Sequence, residues 1–193
     1  LGIVVGGGLP AREAIDLASK SFQDSYRLDT VGIAATRLNA TILQQSLIDI
    51  GCNVAPVIPT NTGEGARLLN EHNIVVMGGT SPGHTTDAVA VSLARDCGAS
   101  YCVIATNVSH IHDSDPRKNQ DAKPIEELTL ADLAKITGTE PLNPGESAAV
   151  DPVAVRWAMD AGIRLAVLDG REISRIEEAL EGRPFVGTLV KVD

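Results

Sequence analysis

The chain has 193 residues, of which 44% are hydrophobic, 21% charged and only 3% aromatic, and it carries a formal net charge of −9 at pH 7. The length suits one sizeable domain or two small lobes sharing a sheet, and the core must be built from Val, Ile, Leu and Ala. The acidic balance, with no Lys/Arg cluster, argues against a nucleic-acid surface; no apolar run reaches the roughly 20 residues that span a bilayer, and no signal peptide is evident.

The first predicted element is a strand at Ile3–Val5, followed at once by a triple glycine. A helix opened by Pro10, which suits a first helical position, runs to about Ser21. Apolar residues at Leu38, Ile42, Leu43, Leu47 and Ile50 recur at helical steps and predict a long helix over Val31–Ile50. Strands are predicted at Val54–Ile58 and Ile74–Met77. The glycine- and threonine-rich stretch "GGTSPGHTTDA" comes next, then a helix over Thr85–Cys97, apolar nearly all round as a helix buried between layers would be. A strand at Tyr101–Ala105 leads into the polar segment Asn107–Lys123, which has no sustained period and reads as a long functional loop. Helices at Leu130–Ile136, Asp151–Ala161 and Glu172–Leu180, strands at Leu165–Leu168 and Gly187–Val190, and a further loop "GTEPLNPGES" complete the pattern. The alternation of β-branched runs with helices predicts an α/β fold with a largely parallel sheet.

Cys52, Cys97 and Cys102 form no C-x-x-C pair and read as reduced thiols of a cytoplasmic protein, the last two as small buried side chains. Trp157 and Met159 read as packing, His72 as a helix end, and Arg37 as one side of a structural ion pair. The chain begins without Met and reaches its triple glycine by Gly6, so residues are expected to precede Leu1 in the full protein.

Two strand ends carry the chemistry. In "VVGGGLPAR", backbone N–H groups freed by glycine and the positive end of a helix make an anion site that Arg12 can clamp; a tight turn with a surface arginine is the plainer alternative. The spacing matches neither a Walker A loop nor a dinucleotide fingerprint. In "GGTSPGHTTDA", Thr80, Ser81, Thr85 and Thr86 supply hydroxyls, and Asp87 either caps the helix or faces a ligand. Ligands of open α/β sheets sit outside the carboxyl ends of the strands, so both loops could line one crevice. His110, His112, Asp113 and Asp115 could be read as a metal cluster, but His at i and i+2 is not a zinc spacing.

The stretches "VVGGGLPAR", "LDTVGIAATRLNA", "VVMGGTSPGHTTDA", "ATNVSHIHDSDPRKNQDAKPI" and "VDPVAVRWAMDAGIR" resemble, in order, the motifs of the archaeal-type UMP kinases of the amino-acid kinase superfamily. The resemblance implies a three-layer α/β/α sandwich with a central, mostly parallel sheet. It implies a single domain, 1–193, that lacks the family's first strand and GGS loop, with a UMP-binding part over 1–100 and an ATP-binding part over 101–193. It further implies transfer of the γ-phosphoryl group of ATP to UMP with Mg²⁺ present.

By that resemblance Gly7, Gly8 and Arg12 hold phosphate, of UMP and at the transfer point, with Gly8 and Arg12 also on the ATP side, and Asp29 binds the ribose hydroxyls unless it is only the N-cap of the long helix. Thr80, Ser81, Pro82, Gly83, His84, Thr85 and Thr86 wrap the UMP phosphate and base. Thr106, Asn107, His112 and Asp115 contact ATP, and Arg12 and Asp87 stand nearest the reacting phosphates. The family's hexamer, a cytoplasmic location and UTP as an inhibitor are implied in the same way. The family has "TNVDGVY" where this chain has "TNVSHIH", so Ser109 and His110 replace a turn that relies on glycine, and His112 replaces an aromatic. A sibling kinase with another acceptor, or a non-catalytic nucleotide or oxyanion binder, are the rival readings.

Overall fold

Parallel pairing of two short apolar strands organises the first part of the chain. The computed structural model describes residues 1–114, 119–140 and 148–192, which form two compact units, Leu1–Gly98 and Ala99–Asp193. In the first, β1 (Gly2–Val4) leads into α1 (Gly8–Ser19), α2 (Ser25–Asp49), α3 (Thr62–Leu68), β2 (Val75–Met77) and α4 (Thr86–Asp96). β1 and β2 pair in parallel, Gly2 opposite Val75 and Val4 opposite Met77. Successive strand residues point to opposite faces. Ile3 and Val76 therefore pack with Ala40, Leu43 and Leu47 of α2, whereas Val4 and Met77 meet Val89 and Leu93 of α4 and Val75 meets Leu68 of α3. Val75, Val76 and Met77 are fully buried, each contributing on the order of 1.5–3 kcal/mol by leaving water.

The long helix starts six residues earlier than the hydrophobic period predicts. Asp24 caps it, its carboxylate accepting the N–H of Arg27, while Ser25–Arg27 are exposed and show no apolar period. The strand expected over Val54–Ile58 shrinks to one parallel bridge, Val54 to Ile74, because Pro56 and Pro59 lack the N–H a ladder needs. Helix α3 was not anticipated. Its signal is "NTGE": Asn61 accepts the N–H of Glu64, and the Glu64 carboxylate accepts the N–H of Thr60, close to a capping box. Gly63 and Gly65 obscure it by lowering helix propensity.

The second unit runs β3 (Tyr101–Thr106), β4 (Ile111–His112), β5 (Pro124–Ile125), β6 (Glu127–Thr129), α5 (Leu130–Thr137), α6 (Pro152–Ala161), β7 (Arg164–Asp169), α7 (Ile173–Leu180) and β8 (Thr188–Lys191). Its sheet order is β3-β7-β8-β6. β3 pairs with β7 and β6 with β8 in parallel, and β7 with β8 antiparallel. Ala179 and Ile176 of α7 cover Ala166 and Leu168 of β7, α5 lies against β6 and β8, and α6 packs on α5. Helix α6 opens on Asp151, which accepts the N–H of Val153, with Pro152 at its first position. β4, β5 and β6 are too short to show alternation in sequence, so the expected loop over Asn107–Lys123 in fact contains β4, paired with β5. Most of "GTEPLNPGES" lies outside the described residues. Cys97, the C-cap of α4, is exposed, and Cys102, within β3, is half-buried rather than buried. No helix among the described residues is long and apolar enough to cross a membrane.

Candidate active site

Because β1 and β2 are parallel neighbours, the chain segments leaving their carboxyl ends emerge at the same sheet edge. One is the glycine loop Gly6–Gly8, which runs into α1. The other is Gly78–Thr85, which runs into α4. Helix α2 holds both with side chains. The Asn39 amide donates to the carbonyls of Gly6 and Gly7, each at 2.9 Å. Arg37 donates from Nε to the carbonyl of Gly79 at 3.1 Å and from Nη2 to that of Thr80 at 3.4 Å. Buried Thr36 accepts the N–H of Gly79 at 2.7 Å, and Asp29 accepts the N–H of Gly83 at 2.8 Å. Arg37 thus binds loop carbonyls where an ion pair was expected, because α2 carries it past the carbonyls of Gly79 and Thr80, just beyond the end of β2.

Glycine is required here for two reasons. Gly8 and Gly83 have φ of +57° and +83°, where a side chain strains the backbone. A Cβ at Gly78 would stand 2.6 Å from Thr36 Oγ1 and 2.8 Å from the Arg37 backbone nitrogen, so only glycine lets β2 approach α2 this closely.

The N-terminus of α1 has no side-chain cap and no acid in its first turn, which leaves its positive end available for an anion. Arg12 is exposed one turn inside. In the second loop the cap of α4 is Thr85, which accepts the N–H of Ala88 at 3.3 Å; Asp87 is in the first turn and half-buried. Thr86 lies against Gly6, 3.7 Å from where a Cβ would stand there, so the two loops meet. Asp29 is not the N-cap of α2, which is Asp24; it sits inside the helix, exposed, and reaches across to the loop. Thr80 and Pro82 are half-buried and Ser81 and His84 exposed. Gly7, Gly8, Arg12, Asp29 and Thr80–Thr86 therefore share one unit and one sheet edge; the holders Thr36 and Asn39 are unmarked in the sequence, and Arg37 is marked there only for an ion pair. All three lie in the stretch "LDTVGIAATRLNA", but which loop a helix side chain reaches is a tertiary fact.

In the second unit Thr106 ends β3 opposite Asp169, the last residue of β7. Thr106 is half-buried and Asn107 exposed. The turn after β7 grips this strand end: the N–H of Gly170 donates to the Thr106 carbonyl at 2.8 Å, and Arg171 donates to the Asn107 carbonyl at 3.4 Å. The Arg171 guanidinium is in turn forked onto the Asp169 carboxylate, and these bonds hold the Asp169 carboxyl down to about 2, well below the usual range. Sequence reading passed over Asp169 and Arg171. His112 is half-buried, its Nδ1 3.1 Å from the His110 carbonyl; burial, then the neighbouring His112, lowers the His110 pKa. Asp113 closes the base of the following loop by accepting the N–H of Lys123 at 2.9 Å. Asp115 lies outside the described residues. A cavity of about 890 Å³ in this unit is lined by Tyr101, His110, Arg164 and the turn Leu180–Gly187, and neither Thr106, Asn107 nor His112 lines it. Among the described residues no group of three or more His, Cys, Asp or Glu could hold a metal ion.

The amino acid kinase family matches residues 1–169. A uridylate kinase of Methanococcus vannielii is 40% identical over 188 residues, covering 97% of this chain and 81% of that protein. One of Pyrococcus abyssi is 37% identical over 191 residues, covering 99% and 83%. The crystal structure of uridylate kinase from Archaeoglobus fulgidus aligns with a TM-score of 0.83 at 34% identity over 98% of this chain and 83% of that one. UMP kinase from Bacillus anthracis, at 23% identity and a TM-score of 0.78 over 99% and 79%, shares the fold. With its paired glycine loops held on one helix and this likeness along nearly its whole length, the chain belongs to the amino acid kinase family, on its uridylate kinase branch.

Proposed function

We propose that the protein is a UMP kinase: an oxygen of the UMP phosphate attacks the γ-phosphorus of ATP, the bond to the bridging oxygen breaks, and UDP and ADP leave. The observation that carries this reading is the single sheet edge at which Gly6–Gly8, the uncapped start of α1, Asp29 and Gly78–Thr85 come together. Phosphoryl transfer asks a protein for alignment and charge neutralisation rather than covalent chemistry, and backbone amides with one arginine supply that in an acidic chain.

In this reading Gly7, Gly8 and Arg12 hold phosphate, Asp29 takes the ribose, and Thr80–Thr86 wrap the acceptor. The donor belongs to the second unit, at Thr106, Asn107 and His112, and to Asp115. Mg²⁺ arrives with the nucleotide phosphates, since that ion binds through substrate phosphates and one or two carboxylates rather than a protein cage; the half-buried Asp87 is the carboxylate that would join it. Bound there, the ion neutralises phosphate charge. A cytoplasmic hexamer, with UTP competing for the acceptor site, completes the proposal.

The test is ADP release with Mg-ATP and UMP, CMP or no acceptor. Turnover that needs UMP supports the reading, and equal turnover with CMP points to a sibling acceptor. The changed "SHIH" segment favours one rival, a non-catalytic binder, which UMP binding without ADP release would select.

A further inference from the structure

Helix α2 sorts the polar groups of the two loops. On its side, two N–H groups are consumed by acceptors: that of Gly79 by Thr36 and that of Gly83 by Asp29. Four carbonyls accept from its side chains, those of Gly6 and Gly7 from Asn39 and those of Gly79 and Thr80 from Arg37; the Gly7 carbonyl also takes the N–H of Ala11 at 3.2 Å, the first helical bond of α1, so Asn39 and α1 fix that peptide plane together. A trans peptide is planar, with its C=O and N–H pointing in opposite directions. Fixing the carbonyls of Gly6, Gly7, Gly79 and Thr80 toward α2 therefore turns the N–H groups of Gly7, Gly8, Thr80 and Ser81 away from it. Among the described residues, none of these four N–H groups donates to a protein acceptor. The assignment of the Asn39 amide is fixed by chemistry, because both neighbours are carbonyls and only its NH₂ can face them.

We propose that Asn39 and Arg37 are positioning residues that aim the N–H groups of Gly7, Gly8, Thr80 and Ser81 at the phosphate of the acceptor, preorganising the site by peptide-plane orientation without touching the ligand. This rests on the acceptor reading above. Electrostatic preorganisation of this kind works because the donors need not turn when charge arrives. It also gives both side chains a role specific to phosphate, which a purely structural role does not.

The experiment is calorimetric titration of wild type, N39D and R37K with UMP and, by competition, with uridine, which lacks the phosphate. N39D keeps the shape but presents an oxygen to two carbonyls, and R37K loses the fork that spans Gly79 and Thr80. The expected result is UMP affinity lowered about tenfold, as for loss of an oriented charge-assisted hydrogen bond, with uridine affinity unchanged. Equal weakening of UMP and uridine, or unaltered UMP affinity, overturns the proposal. If N39D fails to fold, R37K carries the same test. Wild type that binds no UMP overturns the acceptor reading and this inference with it, whereas wild-type binding with unaffected variants overturns this inference alone.

Discussion

Asp29, within α2, accepts the backbone N–H of Gly83 at 2.8 Å, so that one exposed carboxylate ties a helix to the tip of a loop 54 residues later. This loop-holding role of Asp29 is separable from the ribose contact proposed for it. D29A is expected to raise KM for UMP roughly tenfold, the scale of one charge-assisted hydrogen bond. If the ribose hydroxyls are its partners, the penalty shrinks with 2′-deoxy-UMP. Steady-state kinetics with both acceptors decides, and an equal penalty leaves loop-holding as its sole role.

Gly83 and Gly78 predict different costs for the same substitution. An alanine Cβ at Gly83 meets nothing within 4 Å, so G83A bears only the left-handed backbone penalty at φ +83°, roughly 1–2 kcal/mol. At Gly78 the Cβ collides with Thr36 and with the α2 backbone, and overpacking against backbone costs about 3 kcal/mol. Urea unfolding of both variants should show the larger loss of midpoint in G78A, together with weaker UMP binding, because Arg37 is displaced with α2.

The Asp169 and Arg171 pair predicts a pH signature. The folded carboxyl sits at about 2, below its ordinary 3.8, so the unfolded chain binds more protons between those values. Its contribution to stability is present above about pH 4 and is lost as pH falls through about 2. The difference in thermal midpoint between wild type and D169N should therefore be full at pH 5 and close as the pH approaches 2. A gap independent of pH would refute the assignment.

Arg12 stands exposed one turn inside α1, behind the glycine loop. As a clamp on the transferred phosphoryl group, its loss falls on kcat rather than on acceptor binding. R12A is expected to lower kcat on the order of 10²-fold or more, with R12K recovering part of it as a point charge without the fork. A change confined to KM for UMP would reduce Arg12 to an acceptor contact.

Much of this was legible in the residues themselves. The glycine loops announced strand ends, and the period of Leu38, Ile42, Leu43 and Leu47 announced α2. Local features of weak amplitude went unread: the polar first turns of α2 capped by Asp24, the glycine-laden α3, and strands β4 to β6 of two or three residues. Val54–Ile58 misled because β-branched composition outweighed two prolines that forbid a ladder.

What the sequence determined by itself was the α/β class and the place of each glycine loop, since these depend on backbone freedom and apolar period, which are properties of neighbouring residues. What only the tertiary structure decided was which side chains hold those loops. Asn39 reaches Gly6 and Gly7, Arg37 reaches Gly79 and Thr80, and Arg171 reaches Asn107. Each contact joins residues at least 32 positions apart, a partnership fixed by how helices pack on sheets rather than by any local preference.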